Sequence, residues 1–327
     1  MRKMIYIFIT LAFTMSCSQN IDNDNSPSEI YEEFWIWVDQ NYIYFDLKEV
    51  DWEEVKIKNA ALINENTTED DLFQIMESSL LELRDGHNRL QRKGQSARNH
   101  NFKEGYEIHF DLDVIKQEYV VDSLGADGYL YWAMLEDEVG YVNLSDFNRY
   151  RAFRSVFEQM HARSVSKLII DMRSNGGGDS NAVPELLSVL VKEKTALGAY
   201  IEKSGPEHND VTTPIRIFSE PDPDFYFDIP VVVLIDRGSY SATSYFAAMI
   251  KGLDNVTLIG QVTSGGGGGN SGFQFSNGWL IAVSVSDFYD KNGVSIEAGV
   301  EPDIYIENTK EDIDNGVDKM LETAINY

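Results

Sequence analysis

Two short segments constrain the fold more than any others. Lys167-Leu168-Ile169-Ile170-Asp171 and Val231-Val232-Val233-Leu234-Ile235 are continuous apolar runs. A strand with one wet face alternates apolar and polar residues, so unbroken runs predict strands covered on both faces. Each is followed by a turn rich in glycine or serine and then by a helical pattern, over Ser180–Lys192 and Ala242–Lys251. Strands alternating with helices predict an α/β layered core from roughly residue 105 to 310. Val256–Gly260 reads as a further strand, and Phe273–Phe275 and Trp279–Val285 flank Ser276-Asn277-Gly278 as a hairpin. Gly105–Val121, Leu130–Met134 and Val139–Leu144, rich in β-branched and aromatic residues, are expected as strands, with a helix over Phe153–Arg163.

The part before this core has a helical texture. Ile30, Phe34, Trp37 and Val38 form one stripe, Asp51 can cap a second helix through Leu62, and Thr67-Thr68-Glu69-Asp70 resembles a capping box with aspartate in place of glutamate. Residues 28–90 are therefore expected as a small helical domain and 91–327 as the α/β core. The 327 residues carry 54 acidic and 27 basic side chains, a formal charge of −27. Binding to a phosphate backbone needs a clustered basic surface, which this chain lacks, so a nucleic-acid partner is excluded.

Residues 1–16 read as a signal peptide: Arg2-Lys3, an apolar run from Met4 to Met15, then Ser16. The run is shorter than the about 20 residues a spanning helix needs. Cys17 is the single cysteine and stands where a bacterial lipoprotein carries its lipid; Thr14-Met15-Ser16-Cys17 resembles that lipobox, with Thr14 where leucine is usual. The expectation is an exported protein held to a bacterial membrane through a lipid on Cys17, on the periplasmic or cell-surface side, with residues 17–27 as an acidic tether.

Three segments can carry chemistry. Asp171-Met172-Arg173-Ser174-Asn175-Gly176-Gly177-Gly178 joins a buried strand to a helix, where backbone amides can face an anion. It lacks phosphate-loop spacing, which leaves an oxyanion hole or a tight structural turn. Gly238-Ser239-Tyr240-Ser241-Ala242-Thr243 also lies between strand and helix, so Ser241 is either a helix cap or a presented hydroxyl. Leu83-Arg84-Asp85-Gly86-His87 follows a helix. None of the five histidines pairs at metal-ligand spacing, and no metal or organic cofactor is expected. Gly265–Gly269 reads equally as a loop bordering a cleft or as a hairpin linker.

Taken in order, these segments resemble one family. Leu-x-Asp-Gly-His, Gly140-Tyr141-Val142 with Phe147, Asp171-x-Arg173-x-Asn175-Gly-Gly, Ser241-Ala242, Thr263-x-Gly265-Gly266 and Glu297-x-Gly299-Val300-x-Pro302-Asp303 are similar to the tail-specific, or carboxy-terminal processing, serine peptidases. The branch they resemble contains the tricorn core and the interphotoreceptor retinoid-binding protein modules. The resemblance covers about residues 30–310. It implies a core of the crotonase/Clp protease type built from stacked ββα units, with helices before it and no inserted PDZ module.

By that resemblance Ser241 is the nucleophile and the amides of Gly177 and Ala242 form the oxyanion hole. Glycine replaces the family's dyad lysine in Gly260–Gly266, and Lys251 lies about 15 Å along the serine's own helix. His87 and Glu297 are then implied as base and acid, with Gly86 where the branch can carry a fourth, serine, member. The chemistry needs these types: histidine can take and return a proton near neutrality, and a carboxylate at its other nitrogen steadies the imidazolium. The expected activity is a serine endopeptidase cutting polypeptides through an acyl-enzyme. A non-catalytic module on the same fold, binding peptides or hydrophobic ligands, is the alternative, and a hydrolase of non-peptide esters is a third reading.

Overall fold

The computed structural model describes residues 25–99, 105–148 and 153–327. The expected signal peptide, Cys17, most of the tether and His100 lie outside the described residues.

Three helices come first: α1 (Pro27–Asn41), α2 (Trp52–Ala60) and α3 (Glu69–Leu81). Each begins where a side chain takes an orphan amide. Ser26 and Glu29 form a capping box on α1, Asp51 accepts from the Glu54 amide at 2.9 Å on α2, and Thr68 and Asp71 box α3. The α3 box is one residue later than the sequence suggests.

A hairpin follows, β1 (Arg89–Arg92) and β2 (Gln95–Arg98), and then a short helix α4 (Leu112–Glu118). The expected strand over 105–121 is corrected here. Asp111 accepts from the Asp113 amide at 2.8 Å, and Ile115 is buried on the inner face of the turn. Capping and one buried anchor outweigh the β-branched composition.

The core then runs β3 (Val120–Asp127), β4 (Leu130–Leu135), β5 (Val139–Leu144), α5 (Phe153–Ala162), β6 (Lys167–Asp171), α6 (Ala182–Ser188), β7 (Ala196–Glu202), β8 (Ile215–Phe218), β9 (Val231–Ile235), α7 (Ala242–Ile250) and β10 (Val256–Gly260). After it come β11 (Asn270–Gln274), β12 (Leu280–Ser284), β13 (Ser286–Asp290), a 3₁₀ turn at Ile296–Ala298, β14 (Ile304–Tyr305), α8 (Lys310–Asp314) and α9 (Lys319–Asn326).

The largest sheet has seven strands in the order β14-β10-β9-β6-β5-β4-β3. The two apolar runs, β6 and β9, are parallel central neighbours, with Ile170 beside Val233. This is the mixed α/β architecture expected, with both faces of the central strands covered. Smaller sheets pair β11-β12-β1-β2 and β13-β7-β8. Helices α1–α3 share a core with the first of these: Phe34, Phe73, Phe275, Trp279 and Ile281 are all buried in one cluster.

Because β6 and β9 lie side by side and parallel, the turns at their carboxyl ends are adjacent. Crossover geometry thus brings 172–178 against 236–242. Buried Arg173 braces the first turn, with Nη2 2.5 Å from Asp171 Oδ2 and Nη1 2.8 Å from Asp318 Oδ1 at the start of α9.

Candidate active site

Ser241 sits between β9 and α7 with φ 57° and ψ −120°, a conformation L-residues adopt at a cost. Its amide is held by the Gly265 carbonyl at 2.8 Å, and its own carbonyl accepts from the Tyr245 amide at 2.9 Å. Its side chain does not cap α7. The hydroxyl instead meets an imidazole: His87 Nε2 is 2.9 Å from Ser241 Oγ. These residues are 154 positions apart, so the contact is set by the fold rather than by local sequence.

His87 follows a turn made by its neighbour. Asp85 Oδ1 accepts the His87 amide at 2.8 Å, and Arg98 Nε donates to the Gly86 carbonyl at 2.7 Å. The imidazole lies against the Tyr240 ring, with centroids 5.0 Å apart. Burial lowers its pKa; Asp85 opposes that shift, and Arg98 and Lys48 add to it. A neutral ring is the form that can accept a proton from an alcohol. Its Nδ1 is buried without a hydrogen-bond partner among the described residues, as is Asp85 Oδ2.

Glu297 reaches the same neighbourhood from the 3₁₀ turn, but its oxygens go elsewhere. Oε1 is 2.6 Å from Lys48 Nζ, and Oε2 accepts the Gly267 amide at 3.0 Å. The sequence expectation of a direct bond from Glu297 to the imidazole is therefore not what the geometry gives: both oxygens are engaged by other donors. Burial, with Asp85 nearby, pushes Glu297 up to about 8, and Lys48 and the Gly267 amide oppose that shift.

The glycine turn closes around the serine. A Cβ on Gly177 would lie 2.8 Å from both Ser241 Cβ and the Tyr240 carbonyl, and φ there is +97°, so only glycine permits this approach. The Gly177 amide, expected to face an oxyanion, donates to Asn175 Oδ1 at 2.9 Å. Asn175 is itself fixed by its Nδ2 donating to the Leu144 carbonyl at 2.8 Å. The Ala242 amide, at the first position of α7, has no acceptor among the described residues and stands beside Ser241. Gly265–Gly268 is buried, packed between Ser241, the Tyr240 ring and Glu297, and leads directly into β11. Lys251, set aside above as a base, donates to the Glu301 carbonyl at 2.6 Å.

Sequence reasoning missed three neighbours of this centre: Lys48, Asp85 and Arg98. Asp85 lies within Leu83-Arg84-Asp85-Gly86-His87, whose spacing alone gives it no role, and Lys48 and Arg98 carry no local pattern at all. Among the described residues no group of three or more His, Cys, Asp or Glu side chains could hold a metal.

Comparison with known proteins agrees with this layout. Residues 138–306 match Peptidase family S41, and residues 24–80 match the Tricorn protease C1 domain. A carboxyl-terminal-processing protease of Synechocystis sp. is 27% identical over 172 residues, covering 52% of this chain and 38% of its own length. A chloroplastic C-terminal processing peptidase of Tetradesmus obliquus is 29% identical over 176 residues, covering 53% of this chain and 36% of its own. The chain thus spans less than two fifths of the length of these curated relatives. A solved structure from Parabacteroides merdae superposes with a TM-score of 0.84 at 30% identity, covering 93% of this chain and 96% of that one. With the family match extending from β5 through Glu297 to β14, and the serine turn and glycine turn both inside it, the chain belongs to peptidase family S41.

Proposed function

We propose that the protein is a serine endopeptidase that hydrolyses polypeptides through an acyl-enzyme, with Ser241 as nucleophile and His87 as general base. The observation that carries this reading is the 2.9 Å approach of His87 Nε2 to Ser241 Oγ, at a serine whose backbone is strained and whose side chain caps nothing.

For His87 to act as base, Nε2 must carry the lone pair, so the neutral ring holds its proton on Nδ1. Ser241 Oγ attacks the scissile carbonyl carbon while its proton passes to Nε2. The carbonyl π pair moves onto oxygen, and the Ala242 amide is the donor placed to receive it. Gly177 serves by letting the two turns touch, and joins as a donor only if its amide leaves Asn175. When the tetrahedral species collapses, the C–N bond breaks and the amine departs with the proton from Nε2, leaving an ester on Ser241. Water repeats the sequence and frees the acid. Glu297, ionised above a pH of about 8, adds negative charge to this neighbourhood through space, with no direct bond to the ring.

A fluorophosphonate tests the reading. It is expected to label the intact protein at Ser241, and Ser241→Ala is expected to abolish labelling, with His87→Ala slowing it at least 100-fold. A folded wild-type protein that takes up no probe would instead favour a non-catalytic peptide- or ligand-binding module.

The leader supports a location as well: we infer export and lipid attachment at Cys17. Labelled palmitate fed to expressing cells is expected to enter the protein and to be lost in Cys17→Ala.

A further inference from the structure

We propose that Lys48 is a positioning residue for the reacting groups, its ammonium pinning the Glu297 carboxylate against the Gly267 amide and so making the helical region part of the catalytic machinery. This rests on the serine–histidine reading of the site.

The geometry is specific. Lys48 Nζ lies 2.6 Å from Glu297 Oε1, with the two side chains only 13% and 6% exposed. The same nitrogen donates to the Arg84 carbonyl at 2.8 Å, and the Arg84 guanidinium returns a bond to the Lys48 carbonyl. Lys48 is therefore fixed to the segment Arg84-Asp85-Gly86-His87. Through one ammonium, the segment carrying the imidazole is tied to the turn carrying Glu297, which lies 249 residues after Lys48.

The charge balance explains why a cation is needed there. Glu297 faces Asp85 from the turn after α3, and both carboxylates are buried. The hydroxyls of Tyr42, Tyr44 and Tyr240 also lie within its field, and burial and these carboxylates hold all three tyrosines un-ionised. Among the described residues Lys48 is the cation in ion-pair contact with Glu297. Without it Glu297 loses the ion pair that opposes the effect of its burial, and its carboxyl holds its proton to higher pH. A protonated Glu297 gives the imidazolium of His87 no field. Lys48 thus sets the pH above which the site is charged for catalysis.

The test uses the intact protein and compares Lys48→Gln, which keeps a donor toward the Arg84 carbonyl and loses the charge, with Lys48→Arg, which keeps the charge. The rate of fluorophosphonate labelling is measured across pH. Lys48→Gln is expected to be about ten-fold slower at pH 7, with its acid limb moved up by about one unit or more and its rate recovering in alkali. Lys48→Arg is expected to regain most of the wild-type rate and limb. A limb that stays put in Lys48→Gln, or a uniform loss that Lys48→Arg shares, overturns the proposal. A wild-type protein that takes no probe defeats the serine–histidine reading instead. Infrared difference spectra against Glu297→Gln then decide the role of Lys48 alone: a protonated Glu297 persisting to higher pH in Lys48→Gln supports it, and identical titrations refute it.

Discussion

Burying Glu297 beside Asp85 makes its ionised form expensive, and that cost is measurable apart from catalysis. The native carboxyl is raised from 4.5 to about 8, so the native state holds its proton where the unfolded chain has lost it. A raised native pKa contributes stability that is complete below about 4.5 and lost as pH rises through about 8. Glu297→Gln removes this dependence because an amide does not titrate, while its side-chain oxygen can still accept from Lys48 at unchanged size. The variant is expected to melt roughly 2–4 °C above wild type at pH 9 and level with it near pH 4, in thermal scans of both proteins. An equal gap at both pH values would refute the assignment. It is also expected to label more slowly, so this residue trades stability for charge. At this scale Ser241 and His87 stood out as candidates only through the ordered set of motifs, since each segment alone also reads as a cap or a turn. Lys48 did not stand out. Asp46-Leu47-Lys48-Glu49 looks like any solvated connection, and only the assembled fold shows its charge turned inward.

Elements were legible where a polar side chain marks their start. Asp51 and the hairpin residues Ser276-Asn277-Gly278 told their elements' limits almost to the residue, with Gly278 at φ 85° and its amide on the Phe275 carbonyl at 2.8 Å. The start of α3 shows the residual ambiguity. Two adjacent threonines each have an acidic residue three positions on, and the structure selects Thr68 with Asp71. Thr67 Oγ1 instead accepts the Asn64 amide at 2.9 Å in the preceding turn. Thr68→Ala is therefore expected to cost about 1 kcal/mol, read as a lower denaturant midpoint with unchanged slope, and to leave labelling of Ser241 at the wild-type rate. Helix α4 failed the same kind of reading for a different reason. Leu112, Ile115 and Tyr119 have helical spacing, but valines and aromatics on either side dilute it, and the deciding contact is distant: Ile115 packs in one cluster with Leu135, Val139 and Tyr141. Composition cannot report a partner that tertiary structure supplies.

At the scale of the whole molecule, the helices before the α/β core do not bury themselves alone. Phe34 meets the Phe275 ring edge-on at 6.2 Å and Phe73 meets Trp279 at 5.5 Å, so α1 and α3 finish their core on the hairpin β11–β12. That hairpin is continuous with Gly265–Gly268, which lines the serine and holds Glu297, and the helices also deliver Lys48 to the same place. The alternating strand and helix pattern made the seven-stranded sheet readable; this second core was not, because its halves are about two hundred residues apart in the chain and neither half is amphipathic in a way that names the other. Removing the helices should therefore damage the site even when every motif residue is kept. A chain beginning at residue 82 retains Asp85, His87, Ser241 and Glu297 but exposes Phe275, Trp279 and Ile281. It is expected to lose cooperative melting and to take up no fluorophosphonate, with the apolar face of β12 reported by binding of a hydrophobic dye. Near-normal labelling of the truncated chain would mean that the α/β core holds His87 against Ser241 unaided, and that the shared core serves stability only.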